Sequence, residues 1–265
     1  MAKASFNFPF NNNLGDMSIY KMRGIEKYIL RMKGGATKKK IKLAPEFETL
    51  RLFNHEFGGC AKAGSKIFKI LKPIKHLSDH HFFGGLQQIC SLVQSLDVVN
   101  PIGQRSILFT QHADMLPGFN TNKSNIFDSI LKHSPDCIFS RNDRSAMLYF
   151  PEMYPNINLK NPWNQQFFRI ISVLGILPDM VYTIHGYMQA NKAVQYNPVQ
   201  EISPWMPVNE VFAATVVHLQ LGAESFLDDS GKLIVTIGIE FGKAQSQGVI
   251  MPGKYLGSAK ILAVG

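Results

Sequence analysis

The chain has 265 residues, of which 45% are hydrophobic and 18% are charged, a balance that excludes a disordered chain and allows one large or two small domains. Its net charge of +9 is unevenly distributed: residues 1–80 contain 16 Lys/Arg and 6 Asp/Glu, whereas residues 81–265 contain 12 and 13. The first region therefore carries +10 and the remainder −1, which indicates one basic region and not a uniformly basic protein.

The first elements in chain order are an arm and a hairpin. Residues 1–13 are polar and aromatic and predict an arm or edge strand, in which Phe6, Phe8 and Phe10 are candidate assembly residues. The runs 17–22 and 27–32, with Gly24 between them, predict a β-hairpin. The next segment, Lys38–Lys42, is predicted to be a basic loop.

Three helices are predicted next. Pro45, followed by acidic residues, suits the first turn of a helix that Gly58-Gly59 would end. A second helix is predicted over residues 60–71, stopped by Pro73. Apolar residues at helical spacing predict a third, capped by Ser78 and ending near Leu96.

The pattern changes to strands after Asn100-Pro101. A hairpin is predicted from 136–140 and 145–150, with further strands at 167–177, 180–187, 211–221, 232–241 and 255–264. The turn-like Asp228–Gly231 predicts that 211–221 and 232–241 form a second hairpin. Alternation within 232–241 predicts one buried face, including Val235 and Ile237, and one mostly exposed face.

Together these elements predict an α+β protein. An N-terminal β-hairpin and helical region, residues 1–100, precedes an antiparallel β-sandwich over residues 101–265.

The remaining composition argues against several protein classes. Cys60, Cys90 and Cys137 are widely separated, so they predict reduced, mostly buried thiols and no disulfide framework. No apolar run reaches the 18 residues of a membrane span, and residues 1–10 do not read as a secretory signal. The expected location is therefore the cytoplasm or an assembled particle.

The sequence contains only weak matches to catalytic, nucleotide-binding or metal-binding motifs. Gly59–Lys66 has the glycine spacing of a phosphate loop, but its last two residues are in the wrong order and a helix precedes it. His76, His80 and His81 form a loose group, more readily explained as surface histidines than as metal ligands. No nucleophile with its base is evident, so we expect no catalytic residue, metal or cofactor.

The basic region is the strongest candidate site. Lysines at this density bind phosphate backbones or an acidic partner surface, although a solvated face has the same composition. The candidate residues are Lys33, Lys38, Lys39, Lys40, Lys42, Lys62, Lys66 and Lys69.

Several short segments together resemble sequences of a known group of proteins. Gly15–Lys21, Arg31–Gly35, Glu56–Gly58, Asn100–Arg105 and Gly238–Phe241 resemble a family of uncharacterised bacterial proteins with a Lys-Gly-Gly box, a Glu-Phe-Gly box and a β-rich C-terminal half. The resemblance implies the architecture and carries no activity.

The leading functional hypothesis is a non-enzymatic structural subunit that assembles with copies of itself, as the protomer of a filament, a shell or a phage-like particle. The arm at 1–13 and the segregated charge favour it. Nucleic-acid binding by the lysine-rich region is the alternative. An enzyme or carbohydrate-binding module with its site near Trp163 and Trp205 is the third possibility.

Overall fold

The computed structural model describes residues 2–4, 13–22, 25–79, 81–192, 197–245 and 249–265. The chain forms two compact units, Met1–Arg51 and Leu52–Gly265. The sequence-based boundary at residue 100 lies inside the second unit.

The first unit is a small antiparallel sheet and a short helix. Its sheet has the order β1-β4-β3-β2, and the predicted hairpin is confirmed as β3 and β4. The segment predicted to be a basic loop is instead helical, because the Thr37 side chain caps it by accepting a hydrogen bond from the Lys40 backbone N–H. The elements are β1 (Ala2–Ala4), β2 (Asn13–Leu14), β3 (Met17–Lys21), β4 (Tyr28–Met32) and α1 (Lys38–Leu43).

Two helices follow in the chain, and all but the first four residues of the longer one belong to the second unit. A 3-10 turn at Pro45–Phe47 leads into α2 (Glu48–Leu71), and a second turn at Lys72–Leu77 precedes α3 (Phe82–Ser95). The predicted break at Gly58-Gly59 is wrong, since α2 runs through both glycines. The third helix begins later than predicted, at Phe82 and not after Ser78.

The two helices lie antiparallel against each other. The Cys60 thiol of α2 is 3.1 Å from the Gln94 amide oxygen of α3, while Phe68 stacks on Phe82 at the opposite end of the pair. Small residues allow this approach, because Gly64 of α2 faces the Phe83 side chain of α3.

The rest of the unit is almost entirely β-structure, with a short helix α4 (Phe127–Ile130). The predicted hairpin over 136–150 is confirmed, whereas the predicted strand 180–187 is a hairpin of two strands whose turn at Ile184-His185 is followed by Gly186, with φ of +87°. The strands are β5 (Asp136–Ser140), β6 (Ser145–Phe150), β7 (Phe167–Pro178), β8 (Met180–Thr183), β9 (Gly186–Gln189), β10 (Val199–Ile202), β11 (Met206–Pro207), β12 (Thr215–Gln220), β13 (Gly231–Ala244) and β14 (Ile250–Val264).

The strands form two stacked antiparallel sheets and the separate β8–β9 hairpin. The larger sheet has the order β10-β7-β13-β14, with β11 also on β7, and the smaller has the order β12-β6-β5. The α+β class with a C-terminal sandwich is therefore confirmed. The predicted pairing of 211–221 with 232–241 is wrong, because β12 pairs with β6 while β13 pairs with β7 and β14.

The larger sheet is the middle layer of three. On one face, residues such as Ile171 and Ile234 share a core with α2 and α3; on the other, residues such as Leu174 and Val235 share a core with the smaller sheet. The exposed face predicted for 232–241 is consequently buried as well, with Thr236 fully buried beneath the helical layer. Burying each large aliphatic side chain in these cores contributes about 1.5–3 kcal/mol.

Candidate functional site

The predicted assembly residues Phe6, Phe8 and Phe10 lie outside the described residues. The backbone of the same arm at Ala2–Ala4 pairs with Tyr28–Leu30 of its own chain, as the edge strand β1. This short part of the arm therefore has a partner within the chain.

The predicted basic residues of the first unit are all exposed. Lys33 donates to the Gly15 carbonyl at 2.8 Å, and Lys40 lies 3.2 Å from the Glu46 carboxylate. Lys38, Lys39 and Lys42 lie on helix α1, which has no buried residue. These lysines form a solvated helical surface.

In the second unit, the structure brings three predicted lysines together around a pocket of about 490 Å³. Lys62, Lys66 and Lys69 lie about one helical turn apart on α2, beside its buried face. The β8–β9 hairpin and the residues after it supply the other wall. The lining comprises Lys62, Ser65, Lys66, Lys69, Met180, Tyr187, Met188, Gln189 and Lys192. We call this feature the lysine pocket.

Hydrogen bonds hold two of these ammonium groups in place. Lys62 donates to the Tyr187 carbonyl at 2.8 Å, and Lys66 donates to the Gln189 amide oxygen at 3.2 Å. Partial burial, together with the charge of Lys69, lowers the pKa of Lys66. No Asp or Glu is among the described lining residues. The pocket is therefore a concentrated positive field.

A second surface was not predicted from the sequence. Along α2, α3 and the loop that follows α3, large apolar side chains are exposed to solvent, two of them almost completely: Val98 is 91% and Val99 is 89% exposed. The residues are Phe53, Phe57, Leu92, Leu96, Val98, Val99 and Ile102, each at least 45% exposed. We call them the apolar surface.

The loop that carries the two valines is held by one carboxylate. Asp97 accepts hydrogen bonds from the backbone N–H groups of Val99, Asn100 and Ser106 and from the Asn100 side chain, at 2.6–3.1 Å. Burial opposes ionisation of Asp97, but these hydrogen bonds outweigh it and lower the pKa of the carboxyl. The valines are thus displayed by an ordered loop.

A buried ion pair ties the end of this loop to α2. The Arg105 guanidinium binds both oxygens of the Glu56 carboxylate at 2.7 Å, and Glu56 also accepts from the Gly103 N–H at 2.9 Å. The hydrogen bond from Arg105 lowers the pKa of Glu56, although burial acts in the opposite direction. Ile102, next to Gly103, is thereby held beside the first turns of α2.

The sequence contained one signal for this arrangement. Glu56 belongs to the Glu-Phe-Gly box and Arg105 to the segment 100–105, and both segments carried the family resemblance. The spacing of 49 residues gave no indication that they pair. The adjacent valines after Asp97 could have been noted as unusual in a polar loop.

The other sequence candidates have structural partners. The Gly59–Lys66 segment is continuous helix and not a loop. His80 lies outside the described residues, and His76 Nε2 lies 2.8 Å from the buried Glu240 carboxylate. In the described parts of the chain, no group of three or more His, Cys, Asp or Glu side chains is arranged to hold a metal.

The two tryptophans proposed to mark a site in the β loops also contact neighbours. The Trp163 ring lies 5.3 Å from the Phe241 ring, and the Arg169 guanidinium lies 4.5 Å from the Trp205 ring centroid. A nearby cleft of about 660 Å³ includes Asn156, Asn161, Asn164, Gln165, Gln166 and Asn209 in its lining. Neither tryptophan lines that cleft.

Comparison of the chain with protein-family models, with curated proteins and with solved structures gave no match. Among the helices within the described ranges, none has both the length and the apolarity needed to cross a membrane.

Proposed function

We propose that this protein is a structural subunit that assembles with copies of itself, and that the apolar surface is a contact between copies. The observation that carries the proposal is the pair Val98-Val99, almost fully exposed on a loop that Asp97 holds in one conformation. An ordered apolar loop loses little conformational entropy when it is buried, so it is suited to binding.

The size of the apolar surface supports a protein partner. An aromatic side chain presents about 150–250 Å² of area, and seven large apolar side chains that are about half exposed or more present several hundred Å². Their summed area is of the same order as the roughly 300–600 Å² of the largest apolar patch on a typical monomer. A standard interface takes about 800 Å² from each partner, so a contact here would include further residues around these seven.

Charge favours a second copy as that partner. A two-fold contact brings each surface patch against the same patch of the other copy, so a charged patch would repel itself. All seven residues of the apolar surface are uncharged. The lysine-rich surfaces are unsuited to a two-fold contact, because each would face the same positive charges on the other copy.

The test is the molecular mass of the purified chain across concentrations, by light scattering and sedimentation. We expect a mass above the 29.7 kDa of one chain that falls on dilution. The double variant Val98→Asp/Val99→Asp should weaken association by about 100-fold or more, because it places charges in an apolar contact.

The matched control is Val211→Asp/Val216→Asp, which alters two exposed valines of the β region. This variant should assemble like the wild type. A wild-type chain that stays at 29.7 kDa at high concentration, or equal weakening by both double variants, would contradict the proposal.

A filament, shell or phage-like particle needs a second contact besides this one. We propose that the arm at 1–13 supplies it. Removing residues 1–13 should then leave a small closed oligomer in place of a larger particle, as seen by negative-stain microscopy. Particles unchanged by the deletion would show that the arm is not a connector.

A second candidate function is nucleic-acid binding, which the exposed lysines of α1 and the +10 charge of residues 1–80 favour. Its test is a salt titration of DNA binding. Phosphate contacts predict a steep loss of affinity between low and moderate salt. No binding at low salt would rule this candidate out.

A further inference from the structure

The lysine pocket is built on rigid parts of the second unit. The hairpin wall packs closely on α2, because a Cβ atom added at Gly59 would lie only 2.8 Å from the Tyr187 ring. The start of the hairpin is also fixed, since the Met180 backbone exchanges hydrogen bonds of 2.8 and 2.9 Å with Ile107. The pocket is therefore present before any ligand arrives.

The charges that line this pocket all have the same sign, which favours a bound anion. Lys62, Lys66, Lys69 and Lys192 converge on about 490 Å³. Neither Lys62 nor Lys69 lies within ion-pair distance of a carboxylate among the described residues. Repulsion between such groups is relieved when a multiply charged anion binds among them.

The donor chemistry indicates phosphate in preference to carboxylate. A phosphate monoester carries up to two negative charges near neutral pH and a carboxylate carries one, so several lysines attract a phosphate more strongly. Lysine ammonium groups act as point charges with rotatable donors and suit a phosphate. The Ser65 hydroxyl adds a neutral donor within the same lining.

The size and floor of the pocket indicate a small molecule. Ligand sites commonly measure about 300–1,000 Å³, and this pocket falls in that range. Met180 and Met188 contribute thioether groups, which adapt to a planar or apolar ligand part. An extended nucleic-acid backbone needs no such apolar contact.

We propose that the lysine pocket binds the phosphate group of a small phosphorylated molecule whose remaining part lies against Met188. This activity is additional to assembly and does not depend on the apolar surface. It can therefore be measured in the Val98→Asp/Val99→Asp variant as well as in the wild type.

The test is calorimetric titration of the full chain with inorganic phosphate, pyrophosphate and adenosine monophosphate at low salt. We expect all three to bind, and adenosine monophosphate to bind more tightly than phosphate. Lys66→Met should weaken pyrophosphate binding by about tenfold or more, because it removes a charge-assisted hydrogen bond. Lys69→Met, at an exposed position, gives the same test with little risk to folding.

The matched control is Lys243→Met, which removes one positive charge from an exposed position at the end of β13. It should leave the affinity within about twofold of wild type, since only screened long-range attraction changes. Equal weakening by this control, or no binding of any of the three probes, would overturn the proposal. Binding of single-stranded DNA that pyrophosphate does not displace would also overturn it.

A second measurement distinguishes anion binding in the lysine pocket from nonspecific attraction to positive charge. The titration of the Lys66 ammonium can be followed by NMR of its ε-carbon. An anion bound in the pocket should raise the pKa of Lys66 from its lowered value, because it stabilises the charged form. An unchanged titration in saturating pyrophosphate would contradict the assignment.

Discussion

At the scale of single residues, Glu56 links α2 to the loop that follows α3. Its carboxylate is held by the Arg105 guanidinium and the Gly103 N–H, while its own helix carries Phe53 and Phe57. Removing one partner of a buried pair leaves the other charge without compensation, which costs more than the pair itself contributes.

We predict that Glu56→Gln lowers the free energy of unfolding by about 3 kcal/mol. Glu46→Gln is the control, because the Lys40–Glu46 pair is exposed and its loss should have little effect. Urea denaturation followed by circular dichroism measures both. Equal effects of the two substitutions would contradict the role given to Glu56.

The same pair has a defined pH dependence. The folded-state pKa of Glu56 is below its ordinary value of 4.5, so the stabilisation is fully present above that value and is lost as pH falls through the folded pKa. The stability difference between wild type and Glu56→Gln should therefore shrink in the acid range below 4.5. A difference that grows on acidification would show that the sign is wrong.

At the scale of elements, α2 shows that neighbouring glycines can have different roles. A Cβ atom at Gly58 would meet no atom within 4 Å, whereas one at Gly59 would lie 2.8 Å from the Tyr187 ring. Glycine weakens a helix by about 1 kcal/mol relative to alanine. At Gly59 that cost is offset by the close packing of the β8–β9 hairpin.

We predict opposite effects of the two alanine substitutions. Gly58→Ala should stabilise the protein by up to about 1 kcal/mol, and Gly59→Ala should destabilise it by about 1–3 kcal/mol through overpacking against Tyr187. Thermal unfolding of the two variants gives the comparison directly. A stabilising Gly59→Ala would mean that the hairpin does not pack on the helix as described.

This pair of glycines also shows where sequence reasoning succeeds and fails. The hairpins at 17–32 and 136–150 were predictable because their turns and strands are local. The continuity of α2 was not, because the group that favours glycine at position 59 is Tyr187, which is remote in sequence. The second buried face of β13 was hidden for a similar reason: Thr236 and Glu240 resemble solvent-facing residues until the helical layer covers them.

The two candidate sites were also only partly predictable from the sequence. The lysines of α2 could be identified from their charge and spacing, but the β8–β9 wall that makes them a pocket could not. The apolar surface was missed because an exposed valine is recognisable only when burial is known. Asp97, which orders that loop, has no distinctive sequence context.

At the scale of the whole molecule, the two compact units differ in their cores. Among residues 15–22 and 25–51 of the first unit, Ile29 is the one buried side chain, whereas Leu52–Gly265 contains two extensive apolar cores. A short helix such as α1, with no buried side chain, is marginally stable by itself. Local opening is therefore expected first in the lysine-rich part of the first unit.

We predict that trypsin cleaves the native chain at Lys38–Lys42 well before it cleaves at Arg169 or Lys260, which lie in the strands β7 and β14 of the larger sheet. Mass spectrometry of a digestion time course identifies the order of the cuts. Cleavage at Arg169 as early as at Lys40 would contradict the difference in local stability.

The middle position of the larger sheet has a consequence for strand register. A slip of one residue normally moves apolar side chains into water, but β7 and β13 have apolar cores on both faces, so this penalty is small. Glycines discriminate between registers instead, because a Cβ atom added at Gly175 would lie 2.8 Å from the Ile70 side chain and one added at Gly238 would lie 2.8 Å from the Leu77 side chain. Together with the directly paired Arg169 and Glu240, these small and charged residues select one alignment of two strands that apolar burial alone would leave ambiguous.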